Sequence, residues 1–91
     1  MVIKLKKPLT VKGKELKELD LSFDKLTGTD LVQAEMEVRA RGEKSPFLMV
    51  SMQYQAAVAA KAIGCPVDDV LALSGKDFTR VMTAAADFLL N

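Results

Sequence analysis

The sequence predicts an α+β fold in which an N-terminal β-hairpin packs on a bundle of three to four α-helices. Three observations carry that prediction. Residues up to Phe23 alternate apolar and polar with period two around a glycine, whereas from Thr27 onward apolar residues recur at intervals of three and four. Helix-start chemistry followed by helix-stop chemistry also punctuates the second part repeatedly. The length of 91 residues fits one domain, residues 1–91, with 1–24 as the hairpin and 27–91 as the helical part. Apolar residues at 49% and charged residues at 27% describe a chain that folds rather than a disordered tail.

In the hairpin, Ile3 and Leu5 of the first run and Leu19, Leu21 and Phe23 of the second share one face. Lys4, Lys6, Glu18, Asp20 and Ser22 point the other way. Between the runs, Gly13 supplies the positive φ that a tight reversal demands. Pro8 has no amide hydrogen for a ladder and Leu16 breaks the alternation, so the first strand is expected at an edge or bulged near Pro8. Two strands alone are marginal in water, so the apolar face has to pack on the helices.

Thr27-Gly28-Thr29-Asp30 reads as a helix start, with either threonine as cap and Asp30 complementing the positive helix end. Helix one is expected from about Asp30 to Arg41, stopping at Gly42 and burying Leu31, Ala34 and Val38. Ser45-Pro46 reads as an N-cap followed by proline at the first helical position, so helix two is expected to start at about Pro46 and run to Gly64-Cys65-Pro66. Val67 to Leu73 makes a short helix. Ser74 with Asp77 caps a last one, whose Phe78, Val81, Met82, Ala85 and Leu89 form an apolar stripe.

The residues that chemistry needs are mostly missing. The chain has no histidine and a single cysteine, which removes the commonest general base, the usual zinc sites and any intrachain disulfide. No glycine-rich phosphate loop occurs, so no nucleotide, metal or other cofactor is expected. Asp68 and Asp69 are adjacent on a helix and point about 100° apart, too far to share a proton or a metal. Cys65 ahead of Pro66 is the one candidate nucleophile, set against a role as small core filler. No leader pattern opens the chain, and helix two is shorter than the ~20 residues a bilayer needs, so a cytoplasmic product without a membrane partner is expected.

Two features point to binding instead. Residues 1–17 hold six lysines (Lys4, Lys6, Lys7, Lys12, Lys14, Lys17) against Glu15, although the net charge of the whole chain is only +1. A basic hairpin could touch nucleic acid phosphates, but no stacking aromatic lies among the lysines, which also serve simply as edge protection. Phe47 to Ala60 contains no charged residue at all. Within it Phe47, Met49, Met52 and Tyr54 are aromatic or polarizable side chains of the kind adaptable interfaces use, and Met36 and Met82 would extend the patch. Core burial and partner contact both account for such residues, and helix two is read as serving both.

The order of short motifs resembles a known family. Ile3-Lys4-Leu5-Lys6-Lys7-Pro8-Leu9, Gly13-Lys14-Glu15-Leu16 and Leu19-Asp20-Leu21 are similar to the opening of the tail assembly chaperones of Mu-like and related contractile-tailed phages. Thr29-Asp30-Leu31, Ala60 to Val67, Leu71 to Phe78 and Asp87-Phe88-Leu89 continue the resemblance nearly to the end of the chain. Cys65 departs from the family pattern, and Glu35 to Gln55 carries little of it. The resemblance implies a non-enzymatic protein that binds the phage tape measure protein, keeps it soluble and promotes tail tube assembly. It further implies the tail tube protein and a longer, frameshifted form of the same chain as partners. The working state would be a homo-oligomer in the host bacterial cytoplasm, absent from the mature virion. The competing reading is a small nucleic-acid-binding or regulatory module using the lysine-rich hairpin.

Overall fold

Strands β1 (Val2–Val11) and β2 (Lys14–Asp20) pair antiparallel as the alternation predicts, in a computed structural model that describes all 91 residues. Lys12 and Gly13 connect them with φ of 52° and 80°, the two successive positive angles that match a tight turn to strand twist. The ladder holds two registers. Val2↔Asp20 to Lys4↔Glu18 is one, and Leu9↔Leu16 to Val11↔Lys14 the other. Leu5 to Pro8 of β1 therefore lie opposite Lys17 alone, which makes the bulge that Pro8 foretells.

Four helices follow: α1 (Gly28–Ala40), α2 (Met52–Ile63), α3 (Val67–Leu71) and α4 (Gly75–Leu90). The α+β expectation of a hairpin followed by helices holds. Thr27 and Asp30 form a reciprocal capping box on α1, the Thr27 amide donating to Asp30 Oδ2 at 2.8 Å. Gly64 ends α2 with φ 89°, its amide and that of Cys65 both donating to the Ala60 carbonyl. Phe23 leaves the ladder where a strand is expected and opens a 3₁₀ turn, Phe23–Lys25. Its buried ring stacks on Phe88 of α4 with centroids 4.9 Å apart.

Helix α2 is central and packs on α1, α3, α4 and β2. Ala56, Ala57, Ala59, Ala60 and Ala62 are all buried, and their small side chains let several elements approach one helix at once. Ile3, Leu19 and Leu21 from the hairpin, Val38 from α1, Val70 from α3 and Val81 from α4 join the same buried cluster. Each such aliphatic side chain contributes about 1.5–3 kcal/mol by leaving water.

Three helix boundaries differ from the sequence reading, the first being the start of α1 at Gly28 rather than at about Asp30. Helix α2 starts at Met52 with Ser51 as N-cap, its Oγ accepting from the Tyr54 amide at 3.3 Å, rather than at Pro46 behind Ser45. Leu48 explains the shift, because it is buried from within a separate 3₁₀ turn, Leu48–Val50. Helix α3 stops at Leu71, and Leu73 is buried beyond its end.

The bulge turns the Lys6 and Lys7 amides away from β2, and a buried carboxylate receives them. Asp77 of α4 accepts from Lys6 N at 3.1 Å (Oδ1) and 2.9 Å (Oδ2), and from Lys7 N at 3.2 Å. The Ser74 hydroxyl donates to it at 3.1 Å and Arg80 Nη1 at 3.3 Å, and the same Arg80 nitrogen donates to the Lys4 carbonyl at 2.6 Å. Its side chain is 0% exposed. Burial pushes this carboxyl up, but the Lys6 and Lys7 amides, the Ser74 hydroxyl and the Arg80 guanidinium outweigh it and hold the group below its ordinary 3.8.

A folded-state pKa below the unfolded one means the stabilisation is complete above the unfolded value and lost as pH falls through the folded one. Wild-type protein is thus expected to hold its thermal midpoint down to about pH 5 as far as this group is concerned, and to lose stability below about pH 4. Asp77→Asn sets an amide's hydrogens against the Lys6 and Lys7 donors and should lower the midpoint at neutral pH by on the order of 10 °C, with a flatter acid limb. Thermal unfolding followed by circular dichroism across this pH range checks both.

Candidate functional site

The amphipathic pattern of α1 leaves one side uncovered. Ala34 and Val38 are buried against the core and Leu31 is half-buried, but Val32 and Met36, four residues apart on one face, are 55% and 66% exposed. Facing this side is the segment from Pro46 to Val50. Leu48 alone anchors it in the core, so Phe47, Met49 and Val50 on either side are held out in solvent. Between the two lies an open groove of about 410 Å³, lined chiefly by Leu31, Val32, Phe47, Leu48, Met49 and Tyr54, with Glu35 and Arg39 as charged residues at its wall.

Backbone and side-chain hydrogen bonds fix the groove. The Tyr54 hydroxyl donates to the Leu31 carbonyl at 3.3 Å and ties α2 to α1. Burial pushes that hydroxyl above its ordinary pKa, and the Glu35 carboxylate adds to the effect. Gln55 Nε2, buried, donates to the Met49 carbonyl at 2.9 Å, and the Ser51 amide donates to the Leu48 carbonyl at 2.8 Å. Glu43 closes the approach to the segment, accepting from Ser45 Oγ at 3.1 Å. The Ser51 hydroxyl is the largest influence holding the Glu43 carboxyl below its ordinary value, and the Ser45 hydroxyl, the Lys44 amide and Arg39 act in the same direction.

Of the six residues that composition and spacing single out, Phe47, Met49 and Tyr54 line this groove. Met36 and Met52 are exposed beside it on α1 and at the first residue of α2. Met82 is a correction: it is 3% exposed, a core residue of α4, and does not extend any surface. Leu31, Val32 and Val50 are additions. Val32 was marked by its i, i+4 relation to Met36, and Val50 by its place in the uncharged run.

Other candidates read differently in three dimensions. The hairpin lysines are exposed but interspersed with Glu15, Glu18 and Asp20, and Lys4 stands directly across from Glu18. Phe23, the one aromatic among the first 46 residues, is buried against Phe88, so the basic face carries no stacking platform. No three His, Cys, Asp or Glu side chains converge as metal ligands, and no helix is long and apolar enough to cross a membrane. Cys65 is half-buried. Burial, assisted by the Asp69 carboxylate and opposed by Lys12, pushes its thiol up to about 11.

The sequence matches the model of a family described as phage tail assembly chaperone proteins, E, or 41 or 14, over residues 2–90. The chain belongs to this family. No curated protein and no solved structure matches it. The family's role is one of assembly and not of catalysis. Cys65 should behave accordingly: alkylation by iodoacetamide at pH 7.5 is expected to run on the order of 100-fold slower than for a free thiol, the rate climbing until about pH 11. Fast labelling at neutral pH contradicts the burial that raises this thiol.

Proposed function

We propose that this member of the phage tail assembly chaperone family binds the tape measure protein, capturing its apolar helical segments non-covalently in the groove between α1 and residues 46–52. The observation that carries the reading is the groove itself, lined by the exposed Val32, Phe47 and Met49, with Met36, Val50 and Met52 also exposed on the same elements. Methionines suit such a surface, since their flexible thioethers re-pack against varied apolar ridges. An amphipathic helix laid in a groove with one anchor on each wall is a recurring mode of peptide recognition.

On this reading the chain keeps an aggregation-prone helical partner in solution in the host bacterial cytoplasm, hands it to the tail tube protein as the tube polymerises, and departs before the virion matures. Several copies, together with a longer frameshifted form of the same chain, would line one partner. Residues 2–90 supply the binding domain common to both forms.

Co-expression with the tape measure protein of the same phage tests the reading. Wild-type chain is expected to raise the soluble fraction of that partner several-fold. Phe47→Asp with Met49→Asp should abolish the effect while changing the thermal midpoint by no more than about 3 °C, because both side chains are exposed. Lys4→Glu, Lys6→Glu and Lys14→Glu together should leave it intact. A tape measure protein equally soluble with no chaperone present defeats the proposal, and loss of activity in the lysine variant favours the basic hairpin.

A further inference from the structure

Two N-cap signals compete for the start of α2, and the structure uses only the second. Ser45-Pro46 has the chemistry of a cap and first helical residue, since proline there lacks only an amide hydrogen that no carbonyl would receive. Yet Ser45 caps nothing, its hydroxyl donating instead to Glu43. Ser51 is the working cap, and Phe47 is extended, with φ −121° and ψ 95°. From Phe47 to Ser51 the backbone bond formed is the single 3₁₀ link from the Ser51 amide to the Leu48 carbonyl. Local sequence and tertiary structure thus disagree over six residues, and four of them, Pro46 to Met49, line the groove. Such disagreement tends to fall at functional positions.

We infer that residues 46–51 are a coil-to-helix switch: when an apolar helix occupies the groove, α2 begins at Ser45-Pro46 instead of Ser51. The inference rests on the proposed capture of helical segments and specifies what the groove does on binding. Extending α2 backward would move the unpaired first-turn amides from residues 52–54 to residues 46–48, one of which is proline and has none. It would also bring Phe47, Val50, Tyr54 and Val58 to spacings of three, four and four, a single apolar stripe continuous with the buried Tyr54 and Val58. Against extension stand the burial of Leu48 from its 3₁₀ turn, the bond from Gln55 Nε2 to the Met49 carbonyl, the Ser51 cap, and the hold of Glu43 on Ser45. A partner that contacts the outward face bearing Met49 only in the extended helix, while Phe47 joins the inner stripe and offsets the displaced Leu48, can reverse the balance.

The caps give the test opposite signs. Ser51→Ala removes the cap of the short helix and adds a good helix former to the long one, so it should tighten binding about 5-fold. Ser45→Ala removes the cap of the long helix and should weaken binding about 5-fold, with the free protein's thermal midpoint unchanged. The probes are overlapping synthetic peptides spanning the tape measure protein, titrated into isotope-labelled full chain while Cα chemical shifts of residues 47–51 are read. Helical shifts at saturation, together with the opposite effects of the two serines, support the switch. Saturable binding with those shifts unmoved overturns the switch and leaves the capture reading standing. Should no peptide bind, the capture reading fails and the switch, which occupancy of the groove defines, fails with it.

Discussion

The Asp77 carboxylate joins backbone amides 71 and 70 positions away in sequence, and the register of the hairpin depends on that contact. A two-stranded hairpin has no independent stability, and a bulge in it turns amide hydrogens toward a region where water is absent. Asp77 answers both needs. With Arg80, three residues on, it offers an acceptor for the Lys6 and Lys7 amides and a donor for the Lys4 carbonyl, so one face of α4 stands where a third strand would otherwise pair. The charge survives burial because amides, a hydroxyl and a guanidinium together replace its water. Phe23 on Phe88 fixes the far end of the hairpin to the same helix, so α4 holds the β-hairpin at two points.

Once the hairpin is docked, α2 is surrounded by α1, α3, α4 and β2, and its alanines are what permit it. Larger side chains at Ala57, Ala59 or Ala60 would push those elements apart. The same economy leaves a deficit elsewhere. Within residues 1–91 the hairpin, α3 and α4 pack toward α2, and Val32 and Met36 on α1 and Phe47, Met49 and Val50 before Ser51 stay exposed.

Features governed by neighbours in sequence were legible: the turn at Gly13, the bulge announced by Pro8, a threonine cap at Thr27 or Thr29, the cap Ser74, and the stop at Gly64. Features decided by distant residues were not. Asp77 reads in sequence as the acid of a capping box, and nothing local says that its carboxylate faces Lys6 and Lys7. Met82 falls in the apolar stripe of the last helix and Met36 off the Leu31–Ala34–Val38 face, so spacing separates them where residue type alone does not, and burial follows the spacing. The start of α2 was misplaced because Ser45-Pro46 and Ser51 are both competent caps and only the burial of Leu48 and the reach of Gln55 choose between them.

A chaperone that later releases its client needs a surface with two properties that conflict, area enough to hold an apolar helix and weakness enough to let it go. The groove reconciles them physically. Its apolar lining includes Met49, whose flexible side chain adapts without exacting fit, and its two charged residues, Glu35 and Arg39, are exposed to water. If occupancy also requires residues 46–51 to become helical, part of the contact energy is diverted into that ordering, and the net affinity falls by the same amount. On the proposed capture reading, such a weakened contact suits a client held by several copies of the chain rather than by one tight one, and released when a better-packed surface competes for the same helix.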